Sequence, residues 1–295
     1  MEVRLLGPVE VAGDDGRIVT VPGQKLQLLL AALAIERGKP ISADRLVDIV
    51  YGDAPPRQPH NAVQVLVSRL RRSLAAAGDG LTIETTDAGY ALVASDEVTT
   101  DLERFDAMVA RARSRLDDDP GAAVVDLRSA LDLVRGEPLA GLPAEGWARA
   151  ERSRVTEAQL AAVEARIDAE LAIGGHAAVV PELEQLTREH PLREHLWAQL
   201  VLALYRCGRQ ADALRAYQDA RRHLVEELGI EPGAELRELE AKVLAQDPSL
   251  DPPVVVRTTL VTRDGARPAP AADGDGAAAG GRDHRPGPDG RDPAA

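Results

Sequence analysis

The chain has 295 residues, 44% of them hydrophobic, and a formal net charge of −13. That length suffices for about two domains, and the acidic balance excludes a protein that coats nucleic acid non-specifically. Its single cysteine, Cys207, excludes an intramolecular disulfide and a cysteine-rich metal site.

Residues 2–6, 9–11 and 17–21 read as short strands of a small antiparallel sheet, interrupted by Gly7-Pro8 and by the turn Asp14-Asp15-Gly16. Pro22-Gly23 ends that sheet. Residues 24–37 then read as a helix with Leu26, Leu29, Leu30, Leu33 and Ala34 on one face and Gly38 as its stop. Ser42 is the expected cap of a second helix, 43–50, with Leu46 and Val50 facing inward. A loop at 52–59 holds three prolines and leads to a long helix at 61–76.

That long helix carries the chemistry. Val63, Val67, Leu70 and Leu74 recur at i, i+4, i+7 and i+11, the stripe of a helix with one buried face. Asn61, Ser68 and Arg72 point the opposite way, flanked by Gln64, Val65 and Arg69. These side chains suit base edges: Arg for guanine, Asn and Gln for adenine, Ser for either, Val65 for a thymine methyl. Residues 54–78 contain no Asp or Glu but four arginines, Arg57, Arg69, Arg71 and Arg72. On an isolated helix this would read as an ordinary solvated face. The neighbouring elements favour DNA. Residues 81–86 and 90–93 form a β-hairpin around Asp87-Ala88-Gly89, and the order sheet, helix, helix, long helix, hairpin matches a winged helix-turn-helix. Arg57, Arg71 and Lys25 are expected on phosphates, where they set register without reading sequence.

From Asp101 the chain reads as almost wholly helical. Asp101 is the expected cap of a helix at 101–116 containing Leu102, Phe105, Met108, Val109 and Ala112. Helices are then expected at 120–134, 147–173, 176–190, 192–207, 210–228 and 234–245. Gly174-Gly175-His176-Ala177 aligns with Gly208-Arg209-Gln210-Ala211, a period of 34 (208 − 174). Helix pairs at that spacing predict tetratricopeptide-like stacking, with Trp147, Trp197, Tyr205 and Tyr217 packed between helices. After Leu250 the composition turns to Pro, Gly, Ala, Asp and Arg. Apart from a β-like stretch at 254–261, this tail predicts disorder.

Several segments resemble a known family. Val67-Ser68-Arg69-Leu70-Arg71-Arg72 resembles the recognition-helix core of the OmpR-type DNA-binding domain, and Gly89-Tyr90 the end of its wing. The resemblance adds Tyr90 to the expected DNA contacts. Arg135-Gly136-Glu137-Pro138-Leu139, residues 189–194, 204–214 and 226–233 resemble the bacterial transcriptional activation domain. Together they make the chain similar to the Streptomyces antibiotic regulatory proteins (the AfsR/DnrI/RedD family) over residues 3–250. The resemblance implies a transcriptional activator of secondary-metabolite clusters that binds direct repeats in double-stranded DNA near promoters and recruits RNA polymerase holoenzyme. Arginine is common on both sides of the family's Gly-Tyr, but here the neighbours are Asp87 and Ala91. More affinity is therefore expected from a homodimer on DNA, head to tail, favouring repeats about one turn apart, roughly 10–10.5 base pairs.

The expected fold is mainly α with a small β component: a winged helix at 1–96, a tetratricopeptide-like helical domain at 97–250 and a mostly disordered tail at 251–295. Enzymatic constellations are missing: there is no GxxxxGK[ST] loop, and the six histidines form no HExxH or comparable metal set. No cofactor, metal or catalytic residue is expected. No apolar run nears the roughly 20 residues of a membrane span, and the N-terminus does not read as a signal peptide, so the expected location is the cytoplasm, on the nucleoid. The competing reading is a helical-repeat scaffold whose N-terminal domain binds protein, against which the acid-free 54–78 stretch argues.

Overall fold

Three short β-branched segments open the chain, and alternation decides which side chains they bury. β1 (Glu2–Arg4), β2 (Glu10–Ala12) and β3 (Ile18–Thr20) form an antiparallel meander with Val3 opposite Val11 and Val11 opposite Val19. Val3 and Val11 point into the core. α1 (Gln24–Ile35), α2 (Ala43–Tyr51) and α3 (Pro59–Ala75) follow, then the hairpin of β4 (Leu81–Thr86) and β5 (Gly89–Ala94). The structure, a computed structural model, describes residues 1–13, 15–78, 80–94 and 99–251. The expected tail beyond Asp251, with its β-like stretch, lies outside the described residues.

Local signals placed these elements well. Ser42 caps α2 by accepting from the Arg45 N–H at 3.2 Å. The third proline of the 52–59 loop, Pro59, occupies the first turn of α3, where its missing N–H costs nothing. Two residues at 99–100 are too short a strand to read from sequence, yet β6 (Thr99–Thr100) pairs parallel with β1 and gives the sheet order β3-β2-β1-β6.

α4 (Asp101–Arg113) begins directly after β6, and here one expectation is corrected. Thr100, not Asp101, caps it: its hydroxyl accepts from the Glu103 N–H at 2.9 Å, and Glu103 accepts from the Thr100 N–H at 3.0 Å. The extended backbone of β6 puts Thr100 in the cap position. Asp101 is thereby turned inward and is only 2% exposed. Its carboxylate accepts the Leu5 N–H at 2.7 Å and the Leu6 N–H at 3.0 Å, and the Arg135 guanidinium donates to it at 3.0 Å.

α5 (Pro120–Leu131) precedes an irregular loop that completes this clasp. The N–H groups of Arg135, Leu139 and Ala140 donate to the carbonyls of Leu6, Leu5 and Gly7 at 2.7, 2.9 and 3.0 Å. Leu139 adopts φ +55°, an unfavourable conformation for a leucine, and its side chain is fully buried. α6 (Gly146–Ala172) holds the loop from behind, with Arg152 donating to the carbonyls of Pro138, Leu139 and Leu142 at 3.1–3.3 Å.

α7 (His176–Glu189), α8 (Glu194–Arg206), α9 (Gln210–Leu228) and α10 (Ala234–Ala245) complete the helical part, each packed on its neighbours. Gly174 and Gly208 occupy equivalent stops after α6 and α8, with φ of +82° and +75°, so the 34-residue period is a structural one. Trp197 and Tyr217 are buried between helices, and Tyr205 is half-buried. Trp147 is half-buried and also packs between helices, but those of the winged part. It sits with Ile35, Ile41, Ile49 and Ala88, facing α1, α2 and the hairpin tip instead of the repeat. One apolar core runs from Val3 through the winged helix and on to Ala169, and a second joins Ile167 to Leu250. Charged ties cross α6 and α8. Arg193 grips Glu164 with two hydrogen bonds of 2.6 and 2.9 Å, and His195 lies 2.9 Å from Asp168.

Two outcomes follow from these contacts. Asp101→Ala leaves two buried N–H groups and a guanidinium without their acceptor. Breaking such a buried pair costs about 3–5 kcal/mol, read as a lower urea midpoint at unchanged slope. The Asp168 hydrogen bond raises the His195 pKa above its ordinary value, with burial opposing. A raised folded-state pKa stabilises fully below the unfolded value and is lost as pH rises through the folded one. From about pH 6 to about pH 8, melting curves of the wild type should therefore lose more stability than those of His195→Gln.

Candidate nucleic-acid interface

The three helices α1, α2 and α3 pack on one another, and α3 also packs on β4. Val63, Leu66, Val67, Leu70 and Leu74 form the buried side of α3. At 100° per residue they occupy one arc, and Asn61, Gln64, Val65, Ser68, Arg69 and Arg72 fall in an opposing arc of roughly 140°. All six are exposed, and Val65, an apolar residue, is 43% exposed. The helix is about 25 Å long, enough to lie along a major groove.

Charge on this surface is clustered. Among the described residues, Arg57, Arg69 and Arg72 are exposed and have no acidic partner. In the helical part Arg111, Arg128, Arg166, Arg193 and Arg221 are paired with carboxylates, whereas Arg113, Arg149, Arg188 and Arg237 are exposed without an ion pair among the described residues but dispersed among acids. What sets the α3 surface apart is that residues 54–78 hold four arginines and no Asp or Glu. Arg45 on α2 is also exposed without an acidic partner among the described residues, and the sequence pattern had not singled it out.

Arg71 has a different position. Its Nε donates to the Ile83 carbonyl at 2.8 Å and a terminal nitrogen donates to Thr85 Oγ1 at 2.9 Å. Two of its donors thus tie α3 to the hairpin. A helical wheel carries the signal, since Arg71 lies at the edge of the exposed arc, next to the buried stripe. Lys25 is exposed at the start of α1, its Nζ 4.1 Å from the Tyr51 ring centroid. Tyr90, expected on DNA, is instead 9% exposed and belongs to the core. Its contribution is through the backbone. The Tyr90 N–H donates to the Ile41 carbonyl at 2.9 Å, and the Ile41 N–H donates back at 2.8 Å.

Gly89 makes that docking possible. It adopts φ +136°, and a Cβ there would lie 2.0 Å from the Ile41 oxygen. The Gly-Tyr pair is thus the point where the hairpin closes on the strand-like segment between α1 and α2. Outward from it the wing carries Glu84, Thr86 and Asp87, all exposed, so this hairpin presents acids where a basic wing would present cations.

Among the described residues, no three of His, Cys, Asp and Glu gather as ligands for a metal, and no helix is long and apolar enough to cross a membrane. An exposed polar and basic helix on a three-helix core, braced by a hairpin and joined to a helical array, defines a winged-helix transcriptional regulator. Comparison with known proteins agrees. The family profile "Transcriptional regulatory protein, C terminal" matches residues 19–92, and "Bacterial transcriptional activator domain" matches residues 100–244.

The chain belongs to the Streptomyces antibiotic regulatory protein family. It is 34% identical over 262 residues to the regulatory protein DnrI of Streptomyces peucetius, covering 85% of this chain and 94% of DnrI. It is 41% identical over 247 residues to the regulatory protein AfsR of Streptomyces coelicolor. That match covers 83% of this chain but spans only 24% of AfsR. A solved structure of Mycobacterium tuberculosis EmbR, in complex with a low-affinity phosphopeptide, superposes with a TM-score of 0.78 at 35% identity, covering 84% of this chain and 65% of that one.

The glycine makes a sharp test. Gly89→Ala should destabilise the fold by about 1–3 kcal/mol through backbone conformation alone, with the clash against Ile41 adding to it. Melting temperature should drop clearly, whereas Ala88→Gly in the same turn should change it little.

Proposed function

We propose that this chain is a sequence-specific transcriptional activator of a secondary-metabolite gene cluster. It reads promoter direct repeats with α3 and recruits RNA polymerase. The observation that carries the reading is the exposed arc of α3, whose arginines have no acidic partner among the described residues in a chain of net charge −13. Asn61, Gln64, Val65, Ser68, Arg69 and Arg72 face base edges in this proposal, and Arg57 and Lys25 face phosphates. Arg71 acts mainly as a brace, keeping the hairpin at a fixed angle to α3, with its three remaining N–H donors directed at the backbone. Relatives being regulators of Streptomyces supports the biosynthetic setting.

The acidic wing, with Glu84 and Asp87 exposed, supports weak binding by one copy. We therefore assign tight binding to two copies, head to tail on repeats one helical turn apart. The helical part, which matches the activator domain, is the proposed contact for polymerase and for the second copy.

Footprinting on DNA from the gene's own neighbourhood, at two salt concentrations, tests this. The expected result is a protected pair of direct repeats, with affinity falling steeply as salt rises. Arg72→Ala should cost about 1–3 kcal/mol on the repeat and little on random DNA. Arg57→Ala should weaken both alike and reduce the salt slope by about 1. Salt-insensitive binding without protection would refute the activator reading in favour of a protein-binding scaffold.

A further inference from the structure

Two hollows open side by side along α6, and no residue of α3 lines either. One, of about 860 Å³, lies against the start of α8, and the other, of about 730 Å³, against the end of α5. They share Thr156, Leu160 and His190, and so form one trough. Its apolar lining comes from Leu131, Val134, Leu160 and Val163 on one side and from Pro191 and Leu192 on the other.

Charge in the walls is already engaged. Arg193 holds Glu164, and Arg166 lies between Glu170 at 3.0 Å and Glu182 at 2.6 Å. Arg128 holds Glu170 at 2.8 Å, and Arg152 ends among the carbonyls of the clasp loop. Glu194 accepts the Gly233 N–H at 2.6 Å. Asp132 is exposed at the rim and makes no ion pair among the described residues. An anion entering the trough meets guanidinium groups whose charge is already matched.

One donor is left over. Gln159 lines the second hollow, and its Nε2 is buried with no hydrogen-bond partner among the described residues. A buried amide left unpaired is costly, about 1–3 kcal/mol, and an oxygen acceptor seated in the trough would remove that cost. Each hollow also lies in the size range of small-molecule sites, roughly 300–1,000 Å³. We propose that the trough is a binding site for a neutral, largely apolar small molecule carrying a carbonyl oxygen, which accepts from Gln159. Thr156 and His190 stand on the shared wall beside it. Arg152 lines the same trough and holds the clasp loop, so a ligand here sits against the contact that joins the two halves. This inference does not depend on the DNA reading.

The test uses the full chain and two neutral fluorescent probes. Nile red carries a carbonyl and N-phenyl-1-naphthylamine does not. Both are expected to bind saturably, one per chain, with a blue shift. Gln159→Leu should weaken Nile red about tenfold, the equivalent of one hydrogen bond, and leave the naphthylamine within about twofold. Leu160→Trp should fill the trough and abolish both. Thr156→Phe, at an exposed position, gives the same reading should the tryptophan variant fail to fold. Absence of saturable binding to the wild type overturns the site. So does binding that survives both bulky variants when their melting curves match the wild type. Equal weakening of both probes by Gln159→Leu overturns the carbonyl assignment.

Discussion

Leu5, Leu6 and Gly7 leave β1, and the helical half supplies partners for the N–H groups of Leu5 and Leu6 and for all three carbonyls. Asp101 takes the N–H groups of Leu5 and Leu6, and the loop at 135–140 donates to the carbonyls of all three residues. Arg135 neutralises the carboxylate and reaches Glu10 of β2 at 3.0 Å. A buried charge is tolerated only when paired and hydrogen-bonded, and here both conditions are met by groups from two parts of the chain. The left-handed Leu139 and the carbonyl-gathering Arg152 make sense in the same terms. The loop is held in a strained shape because that shape puts three N–H groups opposite three carbonyls.

The same logic governs the reading helix. α3 is positioned by its buried stripe, by the His60–Asp44 contact of 2.7 Å to α2, and by Arg71 tied to β4. The hairpin is itself fixed to the segment before α2 through Ile41 and Tyr90. Each support lies on the buried stripe or at the edge of the exposed arc, outside the arc itself. The basic side chains are therefore free while the helix beneath them is not, which is the pre-organisation that recognition requires.

Periodicity revealed what depends on neighbours in sequence. The stripe of α3, the Ser42 cap, the hairpin and the 34-residue repeat were all legible, because each arises within a few residues or repeats at a fixed interval. The exposed arc of the candidate site was legible for the same reason, being the complement of the buried stripe. What escaped depends on contacts distant in sequence. Nothing near Asp101 announces that its acceptors face Leu5 and Leu6, about 95 residues earlier, and by local rules alone it resembles a helix cap. Residue type fits DNA contact for both Arg71 and Tyr90, but Arg71, though exposed, spends two donors on the hairpin, and Tyr90 is buried where its backbone pairs with Ile41. Which helices flank Trp147 was hidden for a similar reason, its neighbours including residues of α1 and α2 far away in sequence.

Family profiles divide the chain between residues 92 and 100, but the apolar core passes that line without a break, from Val3 to Ala169. The unit of exchange is therefore larger than the unit of recognition. A chimera that grafts a foreign winged helix onto this helical array brings a new 5–7 turn to face the old Asp101, Arg135 and Arg152. The graft inherits its DNA preference with α3, yet its stability is decided at a seam that never touches DNA. Relatives able to trade reading heads should thus be those whose seams match, whatever the likeness of their recognition helices.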